Sequence, residues 1–326
     1  MFRQDRTNPS TAISNWRGRH DTPKAWPSTA VSSWLNGGLF GAPFEYTTSG
    51  TTSDGIDGAY TWIRWTATGN FVVTAGSREC EIVTVAGGAS GAVCQYSGQH
   101  GAGGGGGGGY LSTTVTLTAG THVATIGAGG TGPTSDSVGG SGVDGSFNDA
   151  NGSTYTAVGG GAGGWDSSNR PLVGGSGGGA GASDSDSSIV AGAAGTADQG
   201  NAGGASGYRL YYGNRNSGGG GGGSGSVGQA GYQGTGVSVW SGNGGSGTDN
   251  TYTGSTVNCS AGGGGARGDQ SSGGLAQGAS ATNGNGQGNS SAATANGGGG
   301  SGGTSASSSP VCGNGGSGTV FLRFLT

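Results

Sequence analysis

Charge is scarce in this sequence. Only 9% of the 326 residues are Asp, Glu, Lys or Arg, and the net charge is −4. With a pI near 5.2 there is no overall field to draw in nucleic acid. Lys24 is the only lysine, so no Gly-x-x-x-x-Gly-Lys phosphate loop can be assembled. Apolar residues make up 30%, too few for a conventional side-chain core through the whole chain. There are 7 prolines and no strict triplet pattern, which removes collagen. No stretch is long or apolar enough to span a membrane, and no apolar h-region follows the first residues, so neither membrane insertion nor a signal peptide is expected. The 4 cysteines include no Cys-x-x-Cys, so no zinc site is expected.

Glycine fills the space. Of the 86 glycines, 13 fall in residues 1–100 and 73 in residues 101–326. They cluster at 103–109, 159–164 (broken by Ala162), 174–179 (broken by Ser176), 218–223, 262–265 and 297–303 (broken by Ser301). A flexible linker would suit an isolated run. Here, however, Trp165, Tyr208, Tyr211, Tyr212, Tyr232, Trp240 and Tyr252 recur between the runs. Polyproline-II geometry has three residues per turn and no internal hydrogen bonds, so its peptide groups point outward. Glycine helices of this form can lie side by side because no Cβ holds them apart. Cα–H···O contacts add to that packing. Seven residues would make a rod of about 22 Å. The runs therefore predict ordered polyglycine-II packing.

The stretches FVVTAGSRECEIVTVAGG, GAGGGGGGGYLSTTVTLTAGTHVATIGAGG and GNGGSGTVFLRFLT carry a further signal. Their order is strand, glycine run, strand opening on an aromatic, turn, glycine-rich loops and closing apolar strand. Over about residues 60–326 this resembles the glycine-rich domain common in bacteriophage virion proteins. It is also similar in plan to the distal tail-fibre adhesins of T-even-like phages. That resemblance implies a polyglycine-II sandwich displaying receptor-contacting loops, with no cofactor. Residues 1–60 match no such pattern.

The residues themselves place the strands. Leu111, Thr113, Val115 and Leu117 alternate with Ser112, Thr114, Thr116 and Thr118, and with His122–Ile126 after the TAG sequence, residues 110–126 read as a hairpin. Segments 62–65, 71–74 and 81–85 read as short strands, and 319–325 as a two-faced closing strand. The expected fold is mainly β and irregular, with no significant helix. An extended arm (1–60) precedes a β-rich module (61–130), a polyglycine-II region with variable loops (131–318) and a closing strand (319–326).

The arm carries Arg3, Arg6, Arg17, Arg19 and Lys24, five of the 12 basic residues, together with Trp16, Trp26 and Trp34. Prolines 9, 23 and 27 keep it extended. Tryptophan and arginine are enriched at interface hot spots, so Trp16, Arg17, Arg19 and Trp26 are candidates for docking to another virion protein.

Catalytic signatures are mostly accidents of composition. Glycines 174–178 around Ser176 and 299–303 around Ser301 fit Gly-x-Ser-x-Gly, but neither has the strand before and helix after that a nucleophile elbow needs. His20, His100 and His122 stand apart, Asp184 and Asp186 lack the rest of a calcium loop, and Arg267-Gly268-Asp269 is a coincidence of composition. No enzyme is expected. Two bridges, Cys80–Cys94 and Cys259–Cys312, would close loops lacking hydrophobic support; free buried thiols are the other reading.

The leading expectation is an adhesin of the virion. The aromatics Trp165, Tyr208, Tyr211, Tyr212, Tyr232 and Trp240 would meet a bacterial surface receptor, protein or glycan, since rings give contact area at low entropic cost; the other reading is that these rings simply cover the edges of the slab. Other expected partners are tail-fibre, tail or capsid subunits. The alternatives are a purely structural tail or capsid-decoration protein and, last, an ice-binding polyglycine bundle, whose flat regular repeats these irregular runs lack.

Overall fold

The computed structural model describes residues 43–50, 52–95, 100–182, 188–207, 216–231, 240–268, 291–305 and 311–326. Among these there is no helix.

The closing strand β12 (Thr319–Leu325) ties the β-module together. It pairs antiparallel with β3 (Tyr60–Trp65) on one side and β4 (Gly69–Val85) on the other. β2 (Thr52–Asp57) adds outside β3, and β1 (Glu45–Thr48) pairs with the first part of β4. β6 (Tyr110–Thr125) follows β4, and the short β7 (Gly145–Asn148) and β8 (Thr154–Ala157) complete the sheet. Residues 110–126 are therefore not a hairpin but one strand, and the 71–74 and 81–85 segments belong to the single strand β4.

The apparent turn at Ala119–Gly120 is half of a bulge. Val73 pairs with Gly120 and Ser77 with Thr118, so Thr74, Ala75 and Gly76 face Ala119 alone. Bulges bend a strand and increase its twist. The bend lets both halves of β4 and β6 contribute to one core: Phe71 and Val73 from before it, Cys80, Ile82 and Leu117 from the other half, with Ile63, Trp65, Phe147, Val320 and Leu322. His122 is buried here, with Nε2 3.0 Å from the Thr118 carbonyl and Nδ1 accepting from the Ala150 N–H at 3.0 Å.

The glycine region is a polyglycine-II sandwich with a period of three. Gly103, Gly106 and Gly109 donate to the carbonyls of Gly164, Gly161 and Val158. Gly104 and Gly107 donate to Gly219 and Gly222, and Gly105 and Gly108 to Ser301 and Gly298. In return Ala92, Ala89 and Ala86 donate to Gly103, Gly106 and Gly109, while Gly179 and Ser176 donate to Gly104 and Gly107, and Gly263 to Gly105. Each third residue thus addresses the same neighbour, as three residues per turn require.

The neighbours bond to one another around the ring, through Gly161 to Ser176, Gly222 to Gly177, Gly218 to Ala266, Gly303 to Gly264, Ser301 to Ala89 and Gly160 to Gly87. The packing is hexagonal, with run 103–109 at the centre of one cell. Segments 86–92 and 218–223 flank it and are enclosed in the same way, so the three share a middle layer that 127–132 and 226–231 extend. One outer layer holds 138–143, 158–164, 174–180 and 201–206; the other holds 312–318, 297–304, 260–266 and 241–247.

Glycine is required here for space and not for conformational freedom. None of glycines 103–109 has a positive φ. A Cβ on Gly103, Gly104, Gly105, Gly106, Gly107 or Gly108 would run into a backbone carbonyl of the adjoining segment: Gly179, Gly263, Ala89, Ser176, Ser260 or Ala86 respectively.

Candidate functional site

The lattice has two unlike ends, set by where the strands attach. Val85 leads into segment 86–92 and Gly109 into β6, and the N–H of Ala86 bonds the carbonyl of Gly109. Gly318, just before β12, bonds the carbonyl of Gly127, just after β6. At this proximal end the lattice segments are joined through the sheet, through the hairpin of β9 (Thr248–Asn250) and β10 (Val257–Cys259), or through tight turns such as 197–199.

Among the described residues, the ends of connections such as 93–100, 182–188, 207–216 and 267–291 lie at the other, distal end. The described ends of these connections are bridged across the lattice mouth: Gly101 with Ala182, Gly207 with Ser217, Ser217 with Arg267, and Val93 with Ser137. β5 (Val93–Cys94) pairs in parallel with β11 (Thr304–Ser305) in the same belt. The geometry follows from the period of the segments. A segment that leaves the sheet reaches the distal end after one pass and returns to the proximal end after two, and the proximal reversals are taken by strands or tight turns.

The floor of this end is a patch of small side chains, Ala92, Cys94, Ala102 and Ala266, and Trp165 packs onto it half-buried. The loop carrying Trp165 is locked locally. Its N–H bonds the Asn169 carbonyl at 3.1 Å, and the Asp166 carboxylate accepts from the N–H groups of Ser168 and Asn169. Trp240 differs, with 62% of its surface exposed. Of the sequence-derived receptor candidates, the structure thus makes Trp165 a cover for the lattice and leaves Trp240 open. Tyr208, Tyr211, Tyr212 and Tyr232 lie outside the described residues, as do Asp184, Asp186, Asp269, His20 and the docking candidates Trp16, Arg17, Arg19 and Trp26.

The four cysteines are buried and none is in a disulfide, so neither Cys80–Cys94 nor Cys259–Cys312 forms a bridge. Each thiol has its own surroundings. Cys80 sits in the sheet core, Cys259 beside Val83, Val85 and Phe321, Cys94 in the distal floor, and Cys312 against the Gly302 carbonyl at 3.0 Å. Burial pushes the thiols of Cys80 and Cys259 up to about 12, and it raises that of Cys312. Such thiols are poor nucleophiles, because the thiolate is the reactive form.

The serines of the two Gly-x-Ser-x-Gly matches are lattice residues. Ser176 and Ser301 are fully buried, and the Ser301 hydroxyl donates to the Gly313 carbonyl at 2.5 Å.

Two functional features were not visible in the sequence. Segment 86–92 is a full lattice member although it holds no glycine run; its signal is the three-residue spacing of Ala86, Ala89 and Ala92. Arg323 pins the β9–β10 hairpin to the sheet. Its guanidinium lies between the rings of Tyr60 and Tyr252, 4.6 and 3.9 Å from their centroids, and bonds Glu81 at 2.7 Å.

Residues 66–325 match the family model described as a glycine-rich domain. No curated protein matches the chain.

Proposed function

The chain belongs to the glycine-rich domain family, and from that premise we propose that it is a bacteriophage virion protein, a tail-fibre or tail-tip adhesin. The lattice acts as a stiff spacer, and the distal connections meet a bacterial surface receptor, protein or glycan. The observation that carries this reading is the separation of ends. The described unit begins at Phe44, packed with Phe71 and Phe324 in the sheet module, whereas the longer connections open at the far end of the lattice. An attachment side and a contact side are what an adhesin needs. Interlocked peptide bonds, each contributing about 0.5–1.5 kcal/mol net, hold the loop bases in fixed relation. The arm, with Trp16, Arg17, Arg19 and Trp26, would join the protein to other virion subunits.

A second reading, a structural tail or capsid component, is favoured by one observation: Trp165 covers the alanine floor and is not free for a partner. Particles carrying Tyr211→Ala and Trp240→Ala separate the two. The adhesin reading expects adsorption to fall by roughly 30-fold, the equivalent of about 2 kcal/mol for a hot-spot aromatic, with the melting temperature unchanged. Normal adsorption by these particles overturns it in favour of the structural reading.

A further inference from the structure

A second surface, independent of the distal end, lies beside the junction of lattice and sheet. A cleft of about 250 Å³ is lined by Tyr110, Asp198, Asn201, Ser224 and Thr248, with Gln199 and Gly200 in its wall. The wall is fixed. Gln199 accepts from the Val158 N–H at 2.8 Å and donates to the Thr156 carbonyl at 3.1 Å, and its carbonyl accepts from the Tyr110 N–H at 3.0 Å.

Asp198 stands out among the carboxylates of the glycine-rich region. Asp136, Asp144, Asp149 and Asp166 each accept from backbone N–H groups, and Asp249 accepts from the Asn258 amide. Asp198 has no such partner among the described residues, is exposed, and holds a left-handed φ of 62°. Glycine takes that conformation without steric cost. In a chain with 86 glycines, an aspartate there forgoes the easy choice. The other non-glycine residues with positive φ are Ser260, which is buried, and Asn296, whose amide bonds Ser317.

The remaining groups define what would fit. The Tyr110 hydroxyl accepts from the Asn250 amide at 3.3 Å and keeps its own proton to donate. Thr248 accepts from Ser224 at 2.8 Å and likewise keeps its proton. Asn201 spends its N–H groups on the carbonyls of Gly223 and Ser224, leaving its amide oxygen as an acceptor. The cleft therefore offers a carboxylate and an amide oxygen as acceptors and two hydroxyls as donors, with no cationic side chain among its described lining residues and the Tyr110 ring as its aromatic element. Adjacent hydroxyls that both donate and accept match this set, whereas an anion or an apolar ligand does not. From this geometry we infer that the cleft binds a single sugar residue, with two neighbouring ring hydroxyls on the Asp198 carboxylate.

Saturation-transfer NMR on the full chain, with a panel of methyl glycosides of hexoses and N-acetylhexosamines, tests this. At least one glycoside is expected to receive saturation and to lose it on Asp198→Gly, with affinity down at least ten-fold. The melting temperature should hold or rise, since glycine suits the backbone at that position. Asp198→Asn, which keeps one acceptor oxygen, should fall between the two. The Ile56→Ala variant, at an exposed residue of β2 with no part in the cleft, should leave the signal unchanged. Three results overturn the inference: no glycoside responding at millimolar concentration, undiminished binding by Asp198→Gly, or a signal abolished by a chelator, which would mean an ion and not the carboxylate holds the sugar.

Discussion

In the sheet module Trp65, Phe71, Phe147 and Leu322 are fully buried side chains, whereas in run 103–109 the buried material is the peptide group itself. Both regions exclude water, by opposite means. The sheet excludes it with hydrocarbon, whose burial contributes about 25 cal/mol per Å². The lattice excludes it by bonding the N–H groups of one segment to the carbonyls of its neighbours, so that an otherwise costly buried backbone becomes the adhesive. Their tolerance of substitution should therefore be inverted. Removing atoms harms the sheet, and adding a single carbon harms the lattice.

The sharpest way to break this comparison is Gly106→Ala. The new methyl collides with the carbonyl of Ser176 in an adjoining, equally confined segment. The six-sided cell cannot open on one face without disturbing bonds on the others, so destabilisation above about 4 kcal/mol is expected, in the range that marks a specific structural conflict. Urea unfolding of purified protein measures it; a loss under about 1 kcal/mol would mean that the lattice is soft.

Next in size is Phe71→Ala in the sheet core, where large-to-small truncation costs about 3–5 kcal/mol. If burial of hydrocarbon were incidental to the module, the same measurement would show less than about 1 kcal/mol.

The smallest effect isolates the other use of glycine. Gly58, in the turn between β2 and β3, has φ +59° and open space where a Cβ would go. Gly58→Ala meets only the left-handed backbone penalty and should cost about 1–2 kcal/mol. Parity of Gly58→Ala and Gly106→Ala in thermal melts would remove the distinction between glycine for conformation and glycine for space.

Much of this organisation was legible in the chain. Runs such as 103–109 and 218–223 admit few ordered solutions, and the alternation in Leu111–Leu117 fixed a strand with one face inward. The error at Ala119–Gly120 has a local cause: Thr-Ala-Gly between two alternating segments satisfies the pattern of a turn. Only the partner strand, with its three residues opposite Ala119, makes it a bulge. For Trp165 the chain left receptor contact and cover of the slab side by side, because the floor of Ala92, Cys94, Ala102 and Ala266 on which it packs half-buried is drawn from distant parts of the chain. The cysteines stayed open between two bridges and unbridged buried thiols, because four widely spaced residues say nothing of distance; the fold has no disulfide.

The sequence by itself determined that this protein would be built from β-strands and packed glycine helices, because composition and short-range periodicity act within a few residues. It also set which positions must lack a side chain. Tertiary structure alone decided which segments neighbour which, that the longer connections share one end, and that Asp198 faces a cleft with Tyr110 and Thr248. Those outcomes depend on peptide groups of nearly identical chemistry choosing among many equivalent partners. Only the simultaneous closure of the sheet and of every hexagonal cell selects one arrangement.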